Sequence, residues 1–95
     1  MTDRELSRAL RTLRRTVQMF ETELRHGRMD EALLNEIESQ MERGIAIDSR
    51  CNALVDGVDR LRENTLTPRA ELLGDTIRSC EKLKDAIEGV IVQLG

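Results

Sequence analysis

The chain has 95 residues, 35% of them charged and 39% hydrophobic, with one Phe, one Pro and neither Trp nor Tyr. That length allows a single domain, residues 1–95, with one modest core, and the composition requires aliphatic side chains to fill it. A net charge of −3 and two cysteines, Cys51 and Cys80, argue against a general polyanion binder, a disulfide scaffold and a zinc motif.

The charge is unevenly spread. Residues 1–28 carry +3, residues 30–64 carry −5 and residues 65–95 carry −1. Mutual attraction between packed helices accounts for this pattern. The opening Met1-Thr2-Asp3-Arg4 runs into an amphipathic segment with no apolar stretch of the secretion-signal kind, and Val90-Ile91-Val92 is too short to span a bilayer. A cytoplasmic protein is expected.

The first helix is predicted over about residues 3–26. Thr2 can cap it and Glu5 can return the hydrogen bond. Leu6, Leu10, Leu13, Val17, Phe20 and Leu24 recur at alternating spacings of four and three, a heptad seam of the coiled-coil kind. Gly27 can take the left-handed conformation that closes a helix.

The second helix is expected over about 31–63 as one long element, capped by Asp30. Its apolar positions are Leu34, Ile37, Met41, Ile47, Cys51, Leu54, Val58 and Leu61. The period slips at Gly44, which faces the core, so a kink or a close approach by a neighbour is expected there. Thr67-Pro68 supplies the next cap and first helical position, giving a third helix over about 68–94 with Leu73, Ile77, Cys80, Leu83, Ile87, Val90 and Leu94 inward.

Short connections between long helices imply an all-α, antiparallel three-helix bundle. Residues equidistant from a turn then lie at one height, which stacks Phe20 with Ile37 and Leu94, Leu13 with Gly44 and Ile87, and Leu6 with Cys51 and Cys80. Both cysteines read as buried, reduced, small hydrophobes. Helix 1 runs out at Met1, so a hairpin of helices 2 and 3 projects past it. That tip leaves Val58, Leu61, Leu66, Leu72 and Leu73 uncovered, an apolar patch of the size that marks a protein-binding surface.

Catalytic equipment is not visible. His26, the only histidine, falls in a turn expected to lie at the opposite end from both cysteines, and no serine sits in a nucleophile elbow. No phosphate loop, calcium loop, metal motif or cofactor motif is present. Asp56, Asp59 and Glu63 share a helix face and read as a solvated acidic stripe. Arg4, Arg8, Arg11 and Arg15 line the side of helix 1 opposite its seam, where they could contact an acidic partner. Nucleic-acid binding through them ranks low, since the chain is acidic and lacks an aromatic platform.

The expected function is therefore a non-catalytic protein–protein interaction module: an adaptor, an assembly factor or a secretion-type chaperone offering an apolar groove to a partner helix. The alternative is a homo-oligomeric structural component, a homodimer in its simplest form. As a short, aromatic-poor, antiparallel bundle the chain resembles the small flagellar and type III export chaperones, and that resemblance implies the binding of an exported helical segment.

Overall fold

The computed structural model describes residues 1–66 and 71–95, and they form four helices with no strand among them: α1 (Asp3–Arg25), α2 (Glu31–Gln40), α3 (Asn52–Leu66) and α4 (Leu72–Leu94). The all-α class holds. The start expected at Thr67 and Pro68 lies outside the described residues.

Helix α1 begins on the predicted capping box: the Glu5 N–H donates to Thr2 Oγ1 at 3.2 Å, and the Glu5 carboxylate accepts from Thr2 in return. Its six seam residues are all buried. At the far end Gly27 has φ 79°, the Arg28 N–H donates to Glu23 O at 2.8 Å and the Gly27 N–H to Leu24 O at 2.9 Å. This double closure satisfies carbonyls that the last turn would otherwise leave open. Asp30 then caps α2 by accepting from the Leu33 N–H at 3.2 Å.

The single second helix is corrected here: the chain between Glu31 and Leu66 is two helices, not one. Gly44 takes φ 119°, outside any helical conformation, inside a wide turn spanning Met41–Ile45. Asp48 then accepts from the Arg50 N–H at 2.9 Å and caps a single tight turn, Ser49–Cys51, that leads into α3. Two punctuation marks within five residues, a left-handed glycine and an Asx cap, make a corner where either alone would make a kink. The turn also shifts the inward register: Ile45 is buried, and Ile47, expected in the core, is 87% exposed.

Because the chain turns back at Gly44, α3 runs antiparallel to α2, and Arg62 of α3 reaches Glu38 and Asn35 of α2. Helix α4 in turn runs antiparallel to α3, with Gly57 against Leu83. It also runs antiparallel to α1, through Arg14–Glu88 at 2.8 Å, Lys84–Glu21 at 2.9 Å and Arg25–Glu81 at 3.1 Å. The result is a four-membered ring of up-and-down helices measuring 40 × 20 × 18 Å.

The extra turn reverses α4 relative to the expected bundle, and the predicted layers change with it. Leu94 lines a cleft with Arg4, Ser7, Arg8 and Arg11 at the first turns of α1, not beside Phe20. Cys51 follows Arg50, which pairs with Asp3, whereas Cys80 lies among Glu21, Arg25 and Lys84. Gly57 packs on Leu83, so along the antiparallel α3/α4 pair Cys51 lies six residues to one side of that contact and Cys80 three to the other, ~14 Å apart at 1.5 Å per residue, and the cysteines share no layer.

Candidate functional site: the outward faces of the ring

The predicted apolar patch does not assemble as expected. Val58 is 4% exposed and Leu61 is fully buried, because α2 folds back over the face of α3 that a continuous helix would have left open. Leu73 is half-buried and packs on the core, Leu72 is half-buried, and Leu66 alone of the five is largely exposed. The Arg25–Glu81 pair also places the α3/α4 tip at the end where α1 closes, not where it opens.

Arg4, Arg8, Arg11 and Arg15 are all exposed, as their spacing opposite the α1 seam requires. Arg8 borders the α1/α2 cleft, and Arg4, Arg8 and Arg11 border the α1/α4 cleft, so the ridge is centred on the outermost line of α1. None of the four makes an ion pair among the described residues. Other arginines do: Arg14 with Glu88, Arg25 with Glu21 and Glu81, Arg43 with Glu36, Arg50 with Asp3 and Asp48, Arg62 with Glu38. Glu5 lies one turn before Arg8 and lines the same cleft. Its carboxyl is held below the usual range first by the Thr2 hydroxyl of the capping box, and only last by the Arg8 charge.

Beside the ridge, the α1/α2 cleft of about 350 Å³ has Met1, Ala9 and Ile45 as its apolar surfaces. Gln40 lines it too. Its amide donates to Thr16 Oγ1 at 2.9 Å and to Glu36 Oε1 at 3.2 Å, while its buried Oε1 has no hydrogen-bond partner among the described residues.

The outward side of α3 has the opposite sign. Asp56, Asp59 and Glu63 are exposed and make no ion pair among the described residues, with Arg60 the single cation between them. Asp59, together with Glu38 and Glu42, rims an α2/α3 groove of about 270 Å³ floored by Met41, Ala46, Val55 and Val58. The Arg62 guanidinium hydrogen-bonds Glu38 and holds its carboxyl below the usual range.

Sequence reasoning missed the ionic network at the α1/α4 seam. Only 4% of the Glu21 side chain is exposed, and it takes Lys84 at 2.9 Å and Arg25 at 3.1 Å; Lys84 also donates to Gln18 Oε1 at 2.6 Å. The signal was present in Phe20-Glu21 and Leu83-Lys84, charges directly flanking seam positions, where a ring of four helices closes over more of each flank than a pair does. Cys80 lies beside this network. Burial, followed by the Glu21 charge, pushes its thiol up to about 12, so the thiol is uncharged at neutral pH. Burial likewise raises the Cys51 thiol.

His26 shares the Cys80 end of the bundle, contrary to expectation, but the two are not partners. His26 is exposed at the C-cap of α1 and its Nδ1–H donates to Thr22 O at 2.8 Å, whereas Cys80 is sealed in the core. Among the described residues no cluster of three or more His, Cys, Asp or Glu is arranged to hold a metal ion, and no helix is long and apolar enough to cross a membrane. No protein family, characterised protein or solved structure matches the chain.

Proposed function

We propose that the chain is a non-catalytic protein–protein interaction module whose working surface is the outward face of α1. The observation that carries this reading is the ridge of four exposed arginines with no carboxylate partner among the described residues, where most of the other arginines are paired. An exposed guanidinium is well hydrated and tolerates isolation, but four along ~16 Å of helix repel one another until an acidic surface meets them. The α1/α2 cleft alongside supplies apolar area, so a partner can gain desolvation as well as charge. Adaptor, assembly factor and export-type chaperone are the roles that such a small helical platform fits, acting in the cytoplasm.

The protein-binding surface originally expected at Val58 and Leu61 moves to α1 in this reading, because both residues are needed for the core. Affinity capture with the native chain, compared with a variant carrying Arg4→Ala, Arg8→Ala, Arg11→Ala and Arg15→Ala, tests it. A protein partner retained by the native chain and lost by the variant supports the reading. Equal recovery from both removes α1 as the working surface.

A further inference from the structure

The arginine ridge has a counterpart on the same molecule. Asp56, Asp59 and Glu63 form a ridge of carboxylates on α3 with no ion pair among the described residues, spaced by three and four residues, as the arginines of α1 are spaced by four, three and four. Helices α1 and α3 sit across the ring from each other. Arg8 borders both clefts that flank α1, while Asp59 borders one groove flanking α3 and Asp56 borders the other, so each ridge occupies the outermost line of its helix. The two ridges therefore point in opposite directions and cannot satisfy each other within one chain.

We propose that the occupant of the α1 arginine ridge is a second copy of this chain, docked through the outward face of its α3. This rests on the reading of α1 as the interaction surface and names its partner. Guanidinium groups of one copy meet Asp56, Asp59 and Glu63 of the next. Their aliphatic stems lie over the apolar floor of the α2/α3 groove, Met41, Ala46 and Val55, while Glu42 at its rim takes a further guanidinium. Arg60 faces the one gap in the acidic ridge and sets the register by repulsion.

Complementary surfaces on opposite faces make a head-to-tail contact. Each added copy leaves one basic and one acidic ridge open, so association continues past the dimer instead of closing on itself. The contact is carried by exposed charge, which makes it weak, reversible and salt-sensitive.

Sedimentation velocity on the full chain at about 20 mM and about 500 mM salt tests this, the two conditions straddling the range over which exposed charges are screened. The expected result is an average mass that rises with protein concentration beyond the dimer at low salt and collapses to the monomer at high salt. Arg8→Glu with Arg11→Glu, and separately Asp56→Lys with Asp59→Lys, are each expected to weaken self-association by on the order of 100-fold. All four side chains are exposed and make no ion pair among the described residues, so helicity by circular dichroism is expected to stay that of the native chain.

Mixing the two charge-reversed variants is expected to restore association, because each then offers the sign the other lacks on both faces. A native chain that stays monomeric at low salt overturns the proposal, as does a salt-insensitive dimer, undiminished association of either variant, or a mixture that remains monomeric. If the native chain is monomeric yet loses a captured protein on the arginine-to-alanine exchange, only the second-copy partner is overturned and the interaction-module reading stands.

Discussion

Lys84 Nζ stands 2.9 Å from Glu21 Oε1 across the α1/α4 seam, with 15% of the lysine side chain and 4% of the glutamate side chain exposed. Removing one member of such a pair leaves the other as an uncompensated charge in a low-dielectric site. Glu21→Ala is expected to destabilise the fold by about 3 kcal/mol, whereas Glu21→Leu combined with Lys84→Met should come within about 1 kcal/mol of the native chain. Urea unfolding of Glu21→Ala, and of Glu21→Leu, Lys84→Met and their combination, checks this. Additive losses would show that the pair is not coupled.

Gly44 and Gly89 predict opposite outcomes for the same substitution. Gly44→Ala forces a side chain onto φ 119° and places its Cβ 3.0 Å from Met1 Cε. The flexible Met1 tip can move aside, so the cost comes from the backbone and is about 1–3 kcal/mol. Gly89 lies within α4 with nothing within 4 Å of an added Cβ, and Gly89→Ala should stabilise by up to about 1 kcal/mol through helix propensity. Thermal melts of both variants read the two signs. A Gly44→Ala variant as stable as the native chain would mean the corner is not held by that residue.

The Asp48 carboxyl accepts from the Arg50 guanidinium and from the Arg50 backbone N–H, which together lower it from an ordinary 3.8 to about 2. A carboxyl that is more acidic when folded favours the native state wherever it is charged. Its contribution is thus complete above about pH 4 and disappears as the pH falls through about 2. Asp48→Asn keeps an acceptor for the cap but not the charge. The variant is expected to melt below the native chain at pH 7, and the gap between the two melting temperatures should narrow between pH 4 and pH 2. A gap that does not change with pH would assign the loss to the cap alone.

Neither cysteine should react while the chain is folded. Both are fully buried, and at pH 8 the Cys80 thiol is neutral. An aromatic disulfide reagent at pH 8 is expected to label no thiol quickly in native buffer and both in urea. Mild oxidation should yield no internal bridge, since the two lie ~14 Å apart along the α3/α4 pair and a disulfide needs Cα atoms within about 7 Å. One rapidly labelled thiol in native buffer would contradict this burial.

Much of the local structure was legible because it depends on neighbours in sequence. The Thr2–Glu5 box, the α1 seam, the closure at Gly27 and the Asp30 cap are all short-range patterns, and all stand as read. The corner at Gly44 is short-range too, but recognising it required combining the glycine with the Asp48 cap beyond it. Taking the glycine alone added a false continuity of helix, and one missing turn then reversed α4 and misplaced Cys51, Cys80, Leu94 and the Val58–Leu61 face. The exposure of Arg4, Arg8, Arg11 and Arg15 followed from spacing alone. That they lack carboxylate partners among the described residues did not, because partners such as Glu88 for Arg14 are set by which helices become neighbours.

The seam between α1 and α4 also governs how the ring can close. Each other neighbouring pair of helices is joined directly by a short stretch of chain, but these two must find each other across some sixty residues, the step with the largest loop-closure entropy and a drag on folding rate. Arg14, Glu21 and Arg25 on one helix face Glu88, Lys84 and Glu81 on the other. If α4 slipped by one turn, Lys84 would oppose Arg25 and Glu88 would oppose Glu21, like against like. The charges thus act as a ruler at the moment of closure: the aliphatic seam would tolerate several registers, and the ionic flank admits one.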